Sequence, residues 1–317
     1  MDLKERTENI YFLESKIRDY INIGRVQNKL IENKKNWNQI CSSLDVLGDT
    51  TYAISSYIKD AFPNDDGLKY IYIYGVLQAL FLQQDSLKHL TCALLSINEK
   101  DYKVNDNDEL EKIRNIRNEA IGHPTNKGGG KSFHYISRMT IEKNGFDLLS
   151  SFSDKDDIYK EVKIIDVINI QLKIIVENLK ILLEVLEEKE MEHKNKFKDV
   201  KLSDFLKGSD YSIQKIFEAL YTEDVGRKSF YISLINPLKE EYLKIEKELQ
   251  DREILPNDFW DDELGRIKYT VDSLVDYFTD NQRNFTSIDI FIFLSYLRNQ
   301  NKELLEELKN IDEEYLN

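Results

Sequence analysis

Hydrophobic residues recur along most of this chain at the three- and four-residue intervals of an amphipathic helix. Between about residues 5 and 60, the spacing of Ile10, Leu13, Ile17 and Ile21, then of Trp37, Ile40, Leu44 and Leu47, predicts two or three helices. Pro63–Gly67 (PNDDG) has turn chemistry and interrupts the pattern, after which Tyr70–Leu95 is apolar enough for one long core helix. Leu110–Gly122 predicts a shorter helix, preceded by the polar loop Asn105–Asp108 and stopped by Gly122 and Pro124. Beyond the Gly128–Gly130 run, β-compatible residues from Ser132 to Ser150 flank Asn144-Gly145, a favoured two-residue turn, and predict a β-hairpin. Helical spacing returns over residues 161–196, with Ile164, Ile168, Leu172, Ile175, Leu179, Leu182 and Leu186 on one stripe. The charged run Glu187–Lys201 reads as the solvated end of that helix, leading to a boundary near 200. Amphipathic patterns at Ile213–Leu220, Leu234–Leu249, Leu264–Phe278 and Ile288–Leu308 predict a second helical unit.

The expected fold is therefore mainly α. It has an N-terminal helical extension over 1–34, a helical bundle over 35–200 with a hairpin near 132–150, and a helical domain over 203–317. Composition agrees, since 12 Gly and 4 Pro in 317 residues leave little turn punctuation for a fold of many short strands. No window reaches the roughly 18 apolar residues of a membrane span, and the N-terminus lacks a signal-peptide core, so neither secretion nor membrane insertion is expected. Cys41 and Cys92 match no metal or redox spacing and read as small buried side chains in a reducing, cytoplasmic compartment.

Charge changes the picture. The formal net charge of −14 argues against broad, sequence-independent nucleic-acid binding, which depends on neutralising phosphates. The acid is unevenly spread, however. Lys239–Asn317 holds 10 Lys and Arg against 20 Asp and Glu, a net of −10, whereas Glu111–Lys143 holds 7 against 3, a net of +4. The basic island surrounds the residues with the most chemistry.

Those residues are Ile113–His123 (IRNIRNEAIGH). Leu110, Ile113, Ala120 and Ile121 define a helical stripe, and Arg117 falls within it, so a guanidinium is directed at packed surface. Burying that charge costs several kcal/mol unless a carboxylate or a phosphate meets it. His123 lies about 120° around an ideal helix from Arg117 and roughly 9 Å along it, and Gly122 can unwind the intervening turn. On the preceding helix Gln78, Phe81, Asp85, His89 and Cys92 share a face, which makes Asp85 the candidate carboxylate for Arg117, with Gln78 beside it. Without a functional role, Arg117 would pair with a core carboxylate, His123 would be a helix cap at the negative end of the macrodipole, and the Asp85 face would be an exposed polar stripe.

The segment RNEAIGH resembles the active-site motif of the HEPN superfamily, compact helical bundles in which Arg, a following polar residue and a spaced His form a metal-independent ribonuclease site at a dimer interface. The resemblance covers residues 35–195 and leaves 203–317 without an account. It implies catalytic roles for Arg117, Asn118 and His123, no cofactor, and a homodimer of the kind used in bacterial toxin or anti-phage defence systems; the residues around the motif add Asp85 and Gln78 as supporting groups and Arg114, Lys127 and Lys131 as RNA contacts. The His-x-Tyr extension of some toxin members is absent, since Pro124 and Thr125 follow His123. Two other readings remain: a non-catalytic interaction protein whose acidic C-terminal domain binds a regulatory protein, and a nucleotide sensor using the same basic pocket.

Other features carry less. Gly128-Gly129-Gly130-Lys131-Ser132 ends like a phosphate-binding loop, but Thr125 stands where its first glycine belongs, and it reads as a flexible basic loop. Asp258, Asp261, Asp262 and Glu263 lack the glycine and spacing of a calcium loop. His134 is expected on a strand surface and His193 in solvent.

Overall fold

A computed structural model of the chain describes residues 2–103, 107–219 and 228–316. Among the described residues helix accounts for 75% and strand for 7%, so the fold is mainly α with one small antiparallel sheet. Contacts divide it into two compact units, Met1–Glu187 and Glu188–Asn317. The division falls inside a long helix rather than in a linker near 200.

In the first unit, α1 (Leu3–Ile21) and α3 (Lys34–Lys59) account for the two stretches of helical spacing before residue 60, and the short α2 (Gly24–Glu32), which buries no residue, lies between them. A reciprocal capping box between Asp2 and Glu5 starts α1, satisfying two backbone donors that a helix end leaves open. Ile10, Leu13, Ile17 and Ile21 are buried in the same core as α3 and the later helices, so residues 1–34 do not stand apart as an extension. Asp65 caps α4 (Asp66–Leu95), which ends where Ser96 turns left-handed with φ 55°. Asn105 and Asp106 of the expected polar loop lie outside the described residues, and α5 opens at Asn107 and runs to Arg117. α6 (Ile164–Phe197) closes the bundle with Ile168, Leu172, Ile175, Leu179 and Leu182 buried.

The sheet departs from a simple hairpin. Strands β1 (Ser132–Ile136), β2 (Gly145–Phe152) and β3 (Ile158–Lys163) pair in that order, each antiparallel to the next. Glu142 and Gly145 exchange both backbone hydrogen bonds, at 2.9 and 3.2 Å, so the tight turn is centred on Lys143-Asn144, one residue earlier than the Asn144-Gly145 pair suggests. A 3-10 turn at Arg138–Thr140 separates it from β1. The turn is pinned to α3 by the Tyr57 hydroxyl, which donates to the Lys143 carbonyl at 2.8 Å. β3 carries no sequence signal because Val162 alone among its six residues is buried. Phe146, Leu148 and Val162 face the bundle and join its core.

In the second unit a 3-10 turn at Leu202–Leu206 and helices α7 (Ser209–Ala219), α8 (Lys228–Asp251), α9 (Asp258–Phe278) and α10 (Ser287–Leu316) enclose a separate core that includes Ile216, Tyr242, Leu274, Leu294 and Leu308. Leu220, the last residue of one expected pattern, lies outside the described residues. His193 is half-buried rather than solvated: its Nε2 lies 3.0 Å from the Tyr315 hydroxyl and its ring packs on Phe197. The acidic run Asp258–Glu263 opens α9 behind an Asn257 cap and holds no metal-binding geometry. No helix among the described residues is long and apolar enough to cross a membrane.

Candidate active site

The polar face of α4 and the last turns of α5 meet around one aromatic ring. Gln78, Phe81 and Asp85 succeed one another on α4 at helical spacing, and Arg114 and Arg117 do so on α5. The Arg114 guanidinium carbon lies 4.0 Å from the centre of the Phe81 ring and that of Arg117 lies 4.3 Å from it. Both cations therefore lie over the ring's negative faces, an interaction that strengthens as water is withdrawn.

Their partners differ. Arg114 is ion-paired with Asp85, both about a third exposed. Arg117, expected to meet Asp85, instead donates from Nε and Nη2 to the amide oxygen of Gln78, at 3.1 and 2.9 Å, and from Nη1 to Asn118 Oδ1 at 3.1 Å. Its charge is oriented by neutral amides, and among the described residues no carboxylate is ion-paired with it. The expected apolar stripe is also resolved differently. Leu110, Ile113, Ile116 and Ala120 are buried in the bundle's own core, while Arg117 lies half-buried beside that stripe.

The chain after Arg117 is a single π turn, Asn118–Gly122, closed by the His123 N–H donating to the Asn118 carbonyl at 2.7 Å. Such turns widen a helix and re-aim the residues that follow. Asn118 therefore holds two groups at once: its side chain grips Arg117 and its backbone fixes His123. Gly122 is required by close approach, because a Cβ there would stand 2.7 Å from Arg117 Nη1 and 3.4 Å from Asn118 Oδ1. The Arg117 side chain thus folds back over the peptide next to His123, whose imidazole is exposed.

β1 secures the far side of this turn. The His134 N–H donates to the Pro124 carbonyl at 2.8 Å, and Lys127 Nζ bonds Glu119 Oε1 at 2.7 Å. His134 is buried, not a surface residue, with its two ring nitrogens 3.1 and 2.8 Å from the Ser132 and Ser150 hydroxyls. Burial pushes its pKa below the ordinary value, opposed by Glu119 and assisted by Lys127. The glycine loop is a tied turn rather than a loose one: Gly128, Gly129 and Gly130 all take positive φ, and the Ser153 hydroxyl donates to the Gly130 carbonyl at 2.8 Å. Of the three cations expected to contact RNA, Arg114 and Lys127 are already ion-paired, whereas Lys131 is exposed on that turn. His89 is turned toward Glu99, 4.0 Å away, and takes no part.

The site offers a fixed cation without its own anion among the described residues, a second cation stacked on the same ring, and an accessible imidazole one residue from a close-packed glycine. Among the described residues no three His, Cys, Asp or Glu side chains cluster as metal ligands would. Comparison of the chain with models of known families, with curated proteins and with solved structures finds no match. What the sequence did not mark were Phe81 as the shared ring, Glu119 as the partner of Lys127, and the buried glutamines behind Arg114.

Proposed function

We propose that the chain is a metal-independent endoribonuclease of the HEPN type, acting as a two-fold dimer in a bacterial toxin or anti-phage defence system. The observation that carries the reading is the Arg117 guanidinium, aimed by Gln78 and Asn118 and left without a carboxylate among the described residues, beside the exposed imidazole of His123. RNA cleavage without a metal needs a cation for the charge that develops on the phosphorane and a group that takes the 2′-hydroxyl proton or returns one to the leaving oxygen. Arg117 supplies the first and His123 the second. The 2′-oxygen attacks phosphorus, the bond to the 5′-oxygen breaks, and that oxygen leaves with a proton.

The surface of α4 favours a second copy as the partner. Leu68, Ile71, Gly75, Gln78, Leu82 and Asp85 follow a three-four repeat along α4, and Leu68, Ile71 and Leu82 are 46, 63 and 39% exposed. An added Cβ at Gly75 would meet nothing within 4 Å, so the middle of the stripe is open. An apolar stripe of this kind, running directly into Gln78 and Phe81, is hidden by packing two copies about a two-fold axis, which brings both Arg117/His123 pairs to one cleft. RNA cut by the purified protein in EDTA should carry 5′-hydroxyl and 2′,3′-cyclic phosphate ends, and a 2′-deoxy residue at the cleaved position should block the cut. Ends of the 3′-hydroxyl and 5′-phosphate type would contradict the mechanism.

A further inference from the structure

Three glutamines buried in the first unit form one hydrogen-bonded chain that ends on Arg114. Gln83 and Gln171 are fully buried, and Gln84 is 7% exposed. The chain starts in α3, where the Thr51 hydroxyl donates to the Leu47 carbonyl at 2.7 Å. Having given its one proton, that hydroxyl accepts from Gln83 Nε2 at 3.1 Å. Gln83 Oε1 in turn accepts from Gln171 Nε2 at 3.0 Å, and the other proton of Gln171 goes to the Leu80 carbonyl at 2.9 Å. Gln171 Oε1 accepts from Gln84 Nε2 at 2.8 Å, which also donates to the Leu110 carbonyl of α5 at 3.3 Å. Gln84 Oε1 is the remaining group, and it faces Arg114 Nη1 at 3.4 Å.

Each role in the row fixes the next, so no amide can flip without stranding a buried donor or acceptor. Leucine or methionine at these positions would fill the same volume without that risk. What the amides add is direction, and the direction ends at Arg114, three residues before Arg117 on the same Phe81 ring. Gln171 lies on α6, far in sequence from every other residue of the site.

We infer that Gln171 is a positioning residue: acting through Gln84, it joins the Asp85 ion pair in setting the plane of the Arg114 guanidinium on Phe81, so that Arg114 binds the RNA phosphate adjoining the one held by Arg117. The last clause rests on the ribonuclease reading, while the orientation of Arg114 does not.

Nitrogen-15 NMR of the arginine side chains in the full chain measures rotation about the Nε–Cζ bond, with Arg114 assigned by its loss in Arg114→Lys. Rotation of Arg114 should be hindered in the wild type and freed in Gln171→Leu, with Arg117 unchanged. RNA made uncleavable by 2′-deoxy substitution should bind about tenfold more weakly to Gln171→Leu and to Arg114→Ala, and the double variant should be no weaker than Arg114→Ala alone. Gln84→Met, which removes the oxygen facing Arg114, should give the same two results and serves if Gln171→Leu does not fold. Unchanged Arg114 rotation in either folded variant, or binding losses that add, would overturn the proposal. Freed rotation in a protein whose wild type neither binds nor cleaves RNA would uphold the orienting role and remove the ribonuclease reading.

Discussion

Gly122 makes the sharpest claim at the residue scale. Its missing side chain is the space that Arg117 Nη1 occupies, and the obstacle is the end of a flexible side chain rather than backbone. Gly122→Ala should therefore leave the bundle folded but push the guanidinium off its amide oxygens, lowering RNA cleavage about 10²-fold, in keeping with the cost of a misplaced catalytic group. Cleavage unchanged in a folded Gly122→Ala protein would show that the arginine need not lie where it does. His134 gives a pH signature. Its folded-state pKa lies below the ordinary 6.5, so on acidification the unfolded chain takes up the proton first, and stability present above that value is lost as pH falls below it. Denaturant unfolding of the full chain at about pH 7.5 and 5.5 should show a smaller pH effect in His134→Gln than in the wild type. These residues were unevenly legible in the sequence. The Arg117, Asn118, Gly122 and His123 spacing marked the site, but the partner of Arg117 was not readable, because Gln78, Phe81 and Asp85 share one face of α4 and only the crossing with α5 decides which of them each arginine meets.

At the scale of elements, the long helices were plain in the apolar spacing, as in α6, which buries a stripe including Ile168, Leu172, Ile175 and Leu179, whereas α2 buries no residue and left no such mark. The sheet was half-hidden for the opposite reason. β3 buries Val162 and presents Tyr159, Lys160 and Glu161 to solvent, so it lacks the alternation that identifies a strand, and it pairs because β2 offers a free edge. Gly145, at the start of β2, has Val162 O only 1.9 Å from where a Cβ would sit, and backbone cannot yield as a side chain can. Gly145→Ala should destabilise the first unit by about 1–3 kcal/mol in denaturant unfolding, a strain comparable to overpacking a core. A neutral substitution would mean that β2 and β3 do not approach this closely. The glutamine row was not legible in the sequence, because Gln83 and Gln84 lie on α4 and Gln171 on α6, and the apolar spacing of each helix does not show which polar residues of the two helices touch.

At the scale of the whole molecule, a net charge of −14 and the proposed RNA site are reconciled by where the charge lies. The acidic residues after 239 belong to the second unit, and Arg114, Arg117, Lys127 and Lys131 to the first. The exposed α4 stripe is the proposed seat of the second copy, so Ile71→Glu should halve the mass measured in solution by light scattering and abolish cleavage together. A monomer in the wild type, or full activity in a monomeric Ile71→Glu protein, would remove the shared cleft. The most direct measurement is RNA cleavage by folded wild-type, Arg117→Ala and His123→Ala proteins in the presence of EDTA. The wild type should cut, and each variant should lose at least about 10²-fold in rate, the usual contribution of a charge-stabilising donor or an acid–base group. Either variant cutting like the wild type, or wild-type cleavage abolished by EDTA and restored by a divalent ion, would contradict the assignment of the chemistry to Arg117 and His123.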